Sequence, residues 1–362
     1  MSRERWLAVE AEMGVRVINR EPEIRGLILA TLSGQHPLFL GPPGVAKTYT
    51  IKMLVDYLGA SYFTHLMGKF TTPDEVFGPW DIQAMKNSQY IRKTEGRLPS
   101  VKIAVLGEIF KANTAINNSF LKLMQERLFD NDGEKVCPLI MLVGASNELP
   151  DEGEGLAAVY DRFLLRYFST NLDPSNGDFM DMLGLVDQGR MVDRVDEEML
   201  AEDIAEVAAM PLSQEAKESV QMVAIKLREA GIINSTRRFK QMTTVMAADA
   251  WLRGENVTDS ESVIVGEHIL WEKPDQIREV RQIVRSCVNP ILARCNEVKS
   301  IINEQLAKVS PSTPSTDTLQ YIQEIKALRE DLIRMNSSVK VVAQTVTWID
   351  AKVTELIQGM VA

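Results

Sequence analysis

Cysteine is scarce in this 362-residue chain: Cys137, Cys287 and Cys295 are its whole complement, an odd number with no Cys-x-x-Cys spacing. That excludes a disulfide framework and a thiolate zinc site, and it fits a reducing compartment. Histidine is as rare, and His36, His65 and His268 lie among apolar neighbours at no ligand spacing, so packing accounts for them better than metal binding. Long apolar runs are missing as well. None approaches the roughly 18 residues needed to cross a bilayer, and no apolar segment follows the opening Met1-Ser2-Arg3-Glu4-Arg5. We therefore expect a cytosolic (cytoplasmic) protein without membrane insertion. A cationic surplus is absent: 40 Lys and Arg face 50 Asp and Glu, a net charge of −10. That balance, with no basic stretch interleaved with aromatics, disfavours nucleic acid as a partner.

What is present is ordinary globular composition, 45% hydrophobic and 25% charged, with length enough for two or three cores. The 17 methionines read as core filling. Short β-like apolar runs alternate with helix-like segments over the first half: 37–40, 62–66, 102–106, 140–146 and 164–168. Alternation of this kind predicts a parallel sheet covered by helices. Beyond about Asn171 the β-branched runs thin out. Asp173-Pro174-Ser175-Asn176-Gly177 supplies turn residues, and the pattern becomes helical through Trp271. We place domain boundaries near 175 and 275, giving an α/β unit over 1–175, a helical unit over 176–275 and a helical tail over 276–362.

In the tail, Ile325, Leu328, Leu332, Met335, Val339, Val342, Val346, Ile349, Val353 and Leu356 keep an unbroken 3–4 alternation. The spacing predicts one helix of roughly 48 Å at 1.5 Å per residue. A second, less regular stripe runs through Ile277, Val284, Ile291 and Val298, offset by Val288, Cys295 and Ile302. Ser310-Pro311-Ser312-Thr313-Pro314-Ser315-Thr316-Asp317 cannot continue a helix and reads as the loop between the two. The expectation is an antiparallel coiled-coil hairpin, projecting as a partner-docking arm.

The chemistry concentrates at Gly41-Pro42-Pro43-Gly44-Val45-Ala46-Lys47-Thr48, which follows an apolar strand and precedes an apolar-periodic helix from Tyr49 to Leu58. This is the context of a phosphate-binding loop: backbone N–H groups and the helix end face the phosphates, Lys47 supplies a point charge, and the Thr48 hydroxyl can ligate Mg²⁺. Ala46 stands where the simple pattern has glycine, and a helix-compatible backbone would accept it there. Ile103-Ala104-Val105-Leu106-Gly107-Glu108 is a strand ending in an acid that could polarise an attacking water, although Gly107 occupies the place of the usual magnesium-holding Asp. Val143-Gly144-Ala145-Ser146-Asn147 is another strand, ending in an amide suited to orienting water.

Together these segments, with Phe70 to Pro79, Met124-Gln125-Glu126-Arg127, Ala145 to Pro150, Tyr160-Asp161-Arg162-Phe163 and Ser235-Thr236-Arg237-Arg238, resemble the MoxR family of AAA+ ATPases, most closely its RavA-like branch. The resemblance covers about residues 17–272 and not the coiled coil. It implies a P-loop AAA+ α/β core with a five-stranded parallel sheet, a helical lid, and ATP and Mg²⁺ as cofactors. Gly41, Pro42, Pro43, Gly44, Val45, Ala46, Lys47, Thr48 and Tyr49 would hold nucleotide, Glu108 would be the catalytic glutamate and Asn147 the first sensor. Arg162 would be an arginine finger acting on a neighbouring subunit, and Arg237 the second sensor. The family implies a homo-oligomeric, hexameric ring with chaperone-like remodelling activity, commonly with a von Willebrand factor A domain partner. Residues 81–99 correspond to an insertion that in related ATPases projects toward the pore as a hairpin, and their polar sequence also suits an ordinary surface loop. Competing readings are a nucleotide-gated scaffold with little hydrolysis and, less in keeping with the acidic balance, a nucleic-acid motor.

Overall fold

The computed structural model describes residues 2–112, 114–150, 156–175, 177–185, 189–288, 294–295, 298–299, 301–303, 315–336 and 340–361. The strands are β1 (Pro37–Leu40), β2 (Tyr62–Leu66), β3 (Ile103–Gly107), β4 (Leu128–Asp130), β5 (Glu134–Val136), β6 (Met141–Ser146) and β7 (Leu165–Phe168). Helices through the first half are α1 (Ser2–Arg16), α2 (Glu21–Ser33), α3 (Lys47–Leu58), α4 (Pro73–Phe77), α5 (Ile82–Lys86), α6 (Thr114–Glu126), α7 (Ala157–Arg162) and α8 (Gly177–Gly184). Beyond them come α9 (Glu197–Ala209), α10 (Gln214–Glu229), α11 (Thr236–Arg253) and α12 (Ile277–Val288).

Five strands form one parallel sheet in the order β2-β3-β6-β1-β7, the architecture the apolar runs predict. β1 and β6 are buried at every position, as a strand covered on both faces must be, whereas β2 at the edge alternates exposed and buried residues. Leu40 pairs with Ser146 and Gly107 with Ala145, so β1, β3 and β6 end within one residue of the same height. The phosphate loop, Glu108 and Asn147 leave the sheet at that edge, where ligands of open α/β sheets bind.

The helical half is built on capped starts. Asp196, Ser213 and Ser235 each accept from a backbone N–H three residues on and open α9, α10 and α11. It packs into the same apolar core as the sheet, which runs from Trp6 to Val284. Polar ties cross the same boundary. Trp6 Nε1 donates to Asp203 at 2.7 Å, and Arg166, 1% exposed on β7, donates to the Trp271 carbonyl at 2.7 Å while stacking on Tyr160. Burial lowers the Arg166 pKa to about 9. The far end of α3 is tied as well: the Asp56 carbonyl accepts from Arg194 Nε at 2.9 Å and the Tyr57 carbonyl from the Val195 N–H at 2.8 Å. Glu12 on α1 accepts from the N–H groups of Met191 and Val192, at 2.7 and 2.6 Å.

Three expectations change. The unbroken helix over 325–356 is two helices, Ser315–Asn336 and Lys340–Val361, packed on each other, with Arg329 and Asp350 paired at 2.6 Å. The seam is divided between them: Ile322, Ile325 and Leu332 face Val342, Ile349 and Val353, and Cys295, Val298 and Ile302 complete the cluster. Residues 337–339, between the two helices, lie outside the described residues. The stripe from Ile277 to Ile302 is likewise shared: Val280 and Val284 of α12 are buried in the main core, while Cys295 onward belongs to the separate cluster. Of the expected loop at 310–317, residues 310–314 lie outside the described residues, whereas Ser315, Thr316 and Asp317 are not loop but open the Ser315–Asn336 helix. Finally, the hairpin among the described residues is β4–β5, a unit the sequence reading missed. The 81–99 segment instead holds α5 and is closed by a Trp80–Arg92 bridge, and Asn131 of the β4–β5 turn accepts from the Arg92 N–H at 2.6 Å.

His36 lies in the core, 4% exposed, with Nδ1 accepting from the Leu142 N–H at 2.9 Å. Burial, and then the Arg127 charge, push its pKa down to about 3. The folded value is below the unfolded value of about 6.5, so its stabilising effect is complete above that pH and is lost as pH falls through it. We expect unfolding free energy to decline below about pH 6.5, and His36→Gln to reduce that slope by up to about 1.4 kcal/mol per pH unit. Chemical denaturation at stepped pH measures it; an unchanged slope contradicts the assignment.

Candidate functional site

Gly41 follows β1 at φ +133°, and a Cβ there would collide with the Ser169 carbonyl, so only glycine lets the chain leave the sheet along this path. The loop then arches to Ala46, the N-cap of α3, at φ 64° and ψ 12°. This corrects the expectation of a helix-compatible backbone at Ala46: the position is left-handed, which explains why glycine is the simple pattern's choice. Two bonds from Thr50, its N–H and its Oγ1, both hold the Ala46 carbonyl at 3.0 Å. Glu108, at the end of β3, is also left-handed at φ 52°. Two strained non-glycine residues thus face one cavity, the kind of site at which such backbone strain collects.

That cavity, about 400 Å³, is lined by Pro43, Gly44, Val45, Ala46, Lys47, Thr48, Tyr49, Gly107, Glu108 and Asn147 among others. Inside it Lys47 Nζ donates to the carbonyls of Gly41 and Pro42 and, at 3.1 Å, to Asn147 Oδ1. Asn147 Nδ2 donates in turn to Glu108 Oε1 at 2.5 Å. Lysine, amide and carboxylate form one chain across the ends of β1, β6 and β3. Burial lowers the Lys47 pKa, against the pull of Glu108. Glu108 Oε2 is buried and has no hydrogen-bond partner among the described residues; its near cation, Lys111 Nζ, stands at 3.3 Å. An acceptor so placed can take a bond from water or from a ligand's hydration shell. For a divalent cation the cavity offers the Thr48 hydroxyl and one carboxylate, with glycine at 107. This donor set fits magnesium held chiefly by phosphate oxygens and water.

A second cavity of about 610 Å³ shares Gly44, Val45, Ala46 and Tyr49 with the first and is otherwise lined by Arg16, Val17, Ile18, Arg20, Asn171, Leu172, Pro174, Phe179, Met182 and Leu185. The two meet across the crown of the loop. The sequence reading did not include this second lobe. Its signal was slight: an apolar Val17-Ile18 pair before the α2 start and apolar residues after the turn at 173–177.

The two arginines read from the motifs line neither cavity. Arg162 closes α7, donating to Gln125 Oε1 at 2.6 Å, and Arg237 opens α11, paired with Asp161. Arg238, 2% exposed, donates to the Ile269 carbonyl at 2.7 Å and stands 3.3 Å from Asp161. Asp161 therefore gathers the motif arginines at the junction of α7 with the helical half.

Comparison with known proteins gives a consistent result. A family model described as the MoxR domain in MoxR-vWA-beta-propeller ternary systems matches residues 4–210, and one described as an AAA lid domain matches residues 215–284. Two uncharacterized proteins of Methanocaldococcus jannaschii are each 33% identical to the chain; the matches cover 91% and 82% of it and 88% and 79% of the relatives. A structural protein of Acidianus two-tailed virus is 30% identical over 163 residues, 43% of this chain and 26% of its own length. Among solved structures, a Cytophaga hutchinsonii protein described as a candidate ATPase superposes with a TM-score of 0.62 at 17% identity, over 80% of this chain and 94% of its own, a likeness of fold.

The backbone at Ala46 generates a direct test. A left-handed alanine costs roughly 1–2 kcal/mol, while glycine surrenders about 0.5–1 kcal/mol of extra chain entropy on folding. We expect Ala46→Gly to stabilise the fold by about 0.5–1 kcal/mol, read as a rise in the denaturant midpoint with the slope unchanged. A destabilised variant would contradict the left-handed assignment.

Proposed function

The chain belongs to the MoxR family of AAA+ ATPases, and from that premise we propose that it binds Mg-ATP in the joined cavities and hydrolyses it slowly to drive remodelling of a protein client. The observation that carries this is the convergence of Lys47, Thr48, Glu108 and Asn147, from three strand ends, on one cavity whose second lobe is large and apolar enough for a nucleotide base. Lys47 supplies a compact positive charge to the outer phosphates, and the N–H groups opening α3 face the same charge. Thr48 offers a hydroxyl ligand to magnesium, which when bound would supply positive charge against that developing in phosphoryl transfer. Glu108 holds and polarises the attacking water through Oε2, while Asn147 fixes the other carboxylate oxygen.

Arg162 is our candidate finger for a neighbouring subunit's nucleotide. Its place outside its own chain's cavity supports an action across a subunit boundary. Arg237 is the candidate second sensor, held at the core–lid junction by Asp161. We take the assembly to be a homo-oligomeric ring of six. The adaptor would be a von Willebrand factor A domain protein, in keeping with the systems for which the matching family model is described. The units are taken as core 1–175, lid 176–275 and tail 276–362. Among the described residues no helix is long and apolar enough to cross a membrane. Gly107 favours a second reading, a nucleotide-gated scaffold that binds ATP and barely turns it over, because it leaves the magnesium side of the site one carboxylate short.

Lys47→Ala should abolish ATP binding by calorimetric titration while the protein remains folded; retained micromolar affinity would remove the phosphate-loop assignment. Gly107→Asp should raise steady-state phosphate release. The new Cβ would meet only the Leu66 Cδ1 tip, at 3.0 Å, on a side chain 72% exposed and free to turn. Glu108→Gln should depress turnover with ATP affinity kept. Rates unmoved in both variants would exclude the end of β3 from the mechanism and favour the scaffold.

A further inference from the structure

Arg20 is the N-cap residue of α2 and sits before any recognised loop motif, yet one of its guanidinium bonds reaches the phosphate loop. The residue is 8% exposed. Nε donates to the Val45 carbonyl at 3.3 Å, Nη1 to the Asn19 carbonyl at 2.6 Å and Nη2 to the Thr170 carbonyl at 2.6 Å. Glu23, one turn along α2 and 7% exposed, lies 3.8 Å from Arg20 Nε and accepts from Ser169 Oγ at 2.7 Å. Ser169 is the residue whose carbonyl lies against Gly41, and its N–H donates to the Leu40 carbonyl at 2.8 Å. A buried Arg–Glu pair thus grips the loop at both ends, Glu23 through Ser169 at its start and Arg20 directly at its crown.

The consequence follows from peptide geometry. In a planar trans peptide the C=O of one residue and the N–H of the next point in opposite directions. Turning the Val45 oxygen toward Arg20 therefore turns the Ala46 N–H away from Arg20, toward the cavity that holds Lys47 and Thr48. The following peptide is fixed independently, because the Ala46 carbonyl is held by both Thr50 donors. With both flanking peptide planes set, φ of Ala46 has no freedom left and takes its left-handed value. Alanine resists that value where glycine would not. We infer that Arg20 is a positioning residue for nucleotide binding, which holds the Val45–Ala46 peptide in its phosphate-facing orientation and thereby compensates for alanine at the position that usually carries glycine. This deepens the phosphate-loop reading and rests on it.

The test is a double-mutant cycle on the full chain, read as the Kd of Mg-ATP. Arg20→Gln, and Arg20→Lys as the variant that keeps a buried charge without the three-way fork, should each weaken ATP by roughly tenfold or more, since the left-handed alanine is no longer held. In the Ala46→Gly background the same substitutions should cost several-fold less, because glycine adopts the conformation unaided. A merely structural arginine would lower stability equally in both backgrounds and leave no such coupling in Kd. Unchanged ATP affinity in folded Arg20→Lys overturns the inference, and so does a loss that Ala46→Gly fails to reduce. Lys47→Ala run in parallel separates the two levels. If it retains ATP, the phosphate-loop reading itself has failed; if it loses ATP while Arg20→Lys does not, only the role of Arg20 has.

Discussion

Parallel strand register is the constraint on which this molecule depends. β1, β3 and β6 end within one residue of one another, so the residues that follow Leu40, Gly107 and Ser146 emerge together although more than sixty residues of chain separate the first from the second. A slip of one residue in either pairing would turn every side chain of that strand to the opposite face. It would also separate the lysine, the carboxylate and the amide that now form one hydrogen-bonded chain. β1 and β6 are buried on both faces, so a slipped strand would have to repack against both covering layers.

Legibility followed burial. The five strands of the main sheet were readable because each is a compact apolar run bounded by turn residues, and their parallel arrangement followed from the helices between them. β4 and β5 were not, since Leu128-Phe129-Asp130 and Glu134-Lys135-Val136 are short and mostly exposed, and only the Asn131-Asp132-Gly133 turn hints at them. In the tail a heptad seam was correctly seen as buried, but periodicity alone cannot tell one long helix from two that fold back and bury the same residues against each other.

Within the candidate site the same division holds. The phosphate loop, Glu108 and Asn147 announce themselves because each needs a particular residue type at a strand end. The apolar lobe beyond the loop does not, because Val17, Ile18, Leu172, Phe179 and Leu185 come from segments far apart in the chain and carry no chemistry individually. Ala46 was misjudged for a different reason: whether an alanine sits at positive or negative φ depends on what grips its neighbours, and those partners, Arg20 and Thr50, lie on other elements or further along.

Helix α3 has a consequence of its own. It begins at the residues that would meet phosphate and ends, about 18 Å away at 1.5 Å per residue, against the segment leading into α9. Its terminal carbonyls are bonded to Arg194 and Val195, and Glu12 braces Met191 and Val192 beside them. A rod fastened at both ends cannot shift at one without loading the other. A load placed on the last turn of α3 is therefore carried along the helix to the residues that open it.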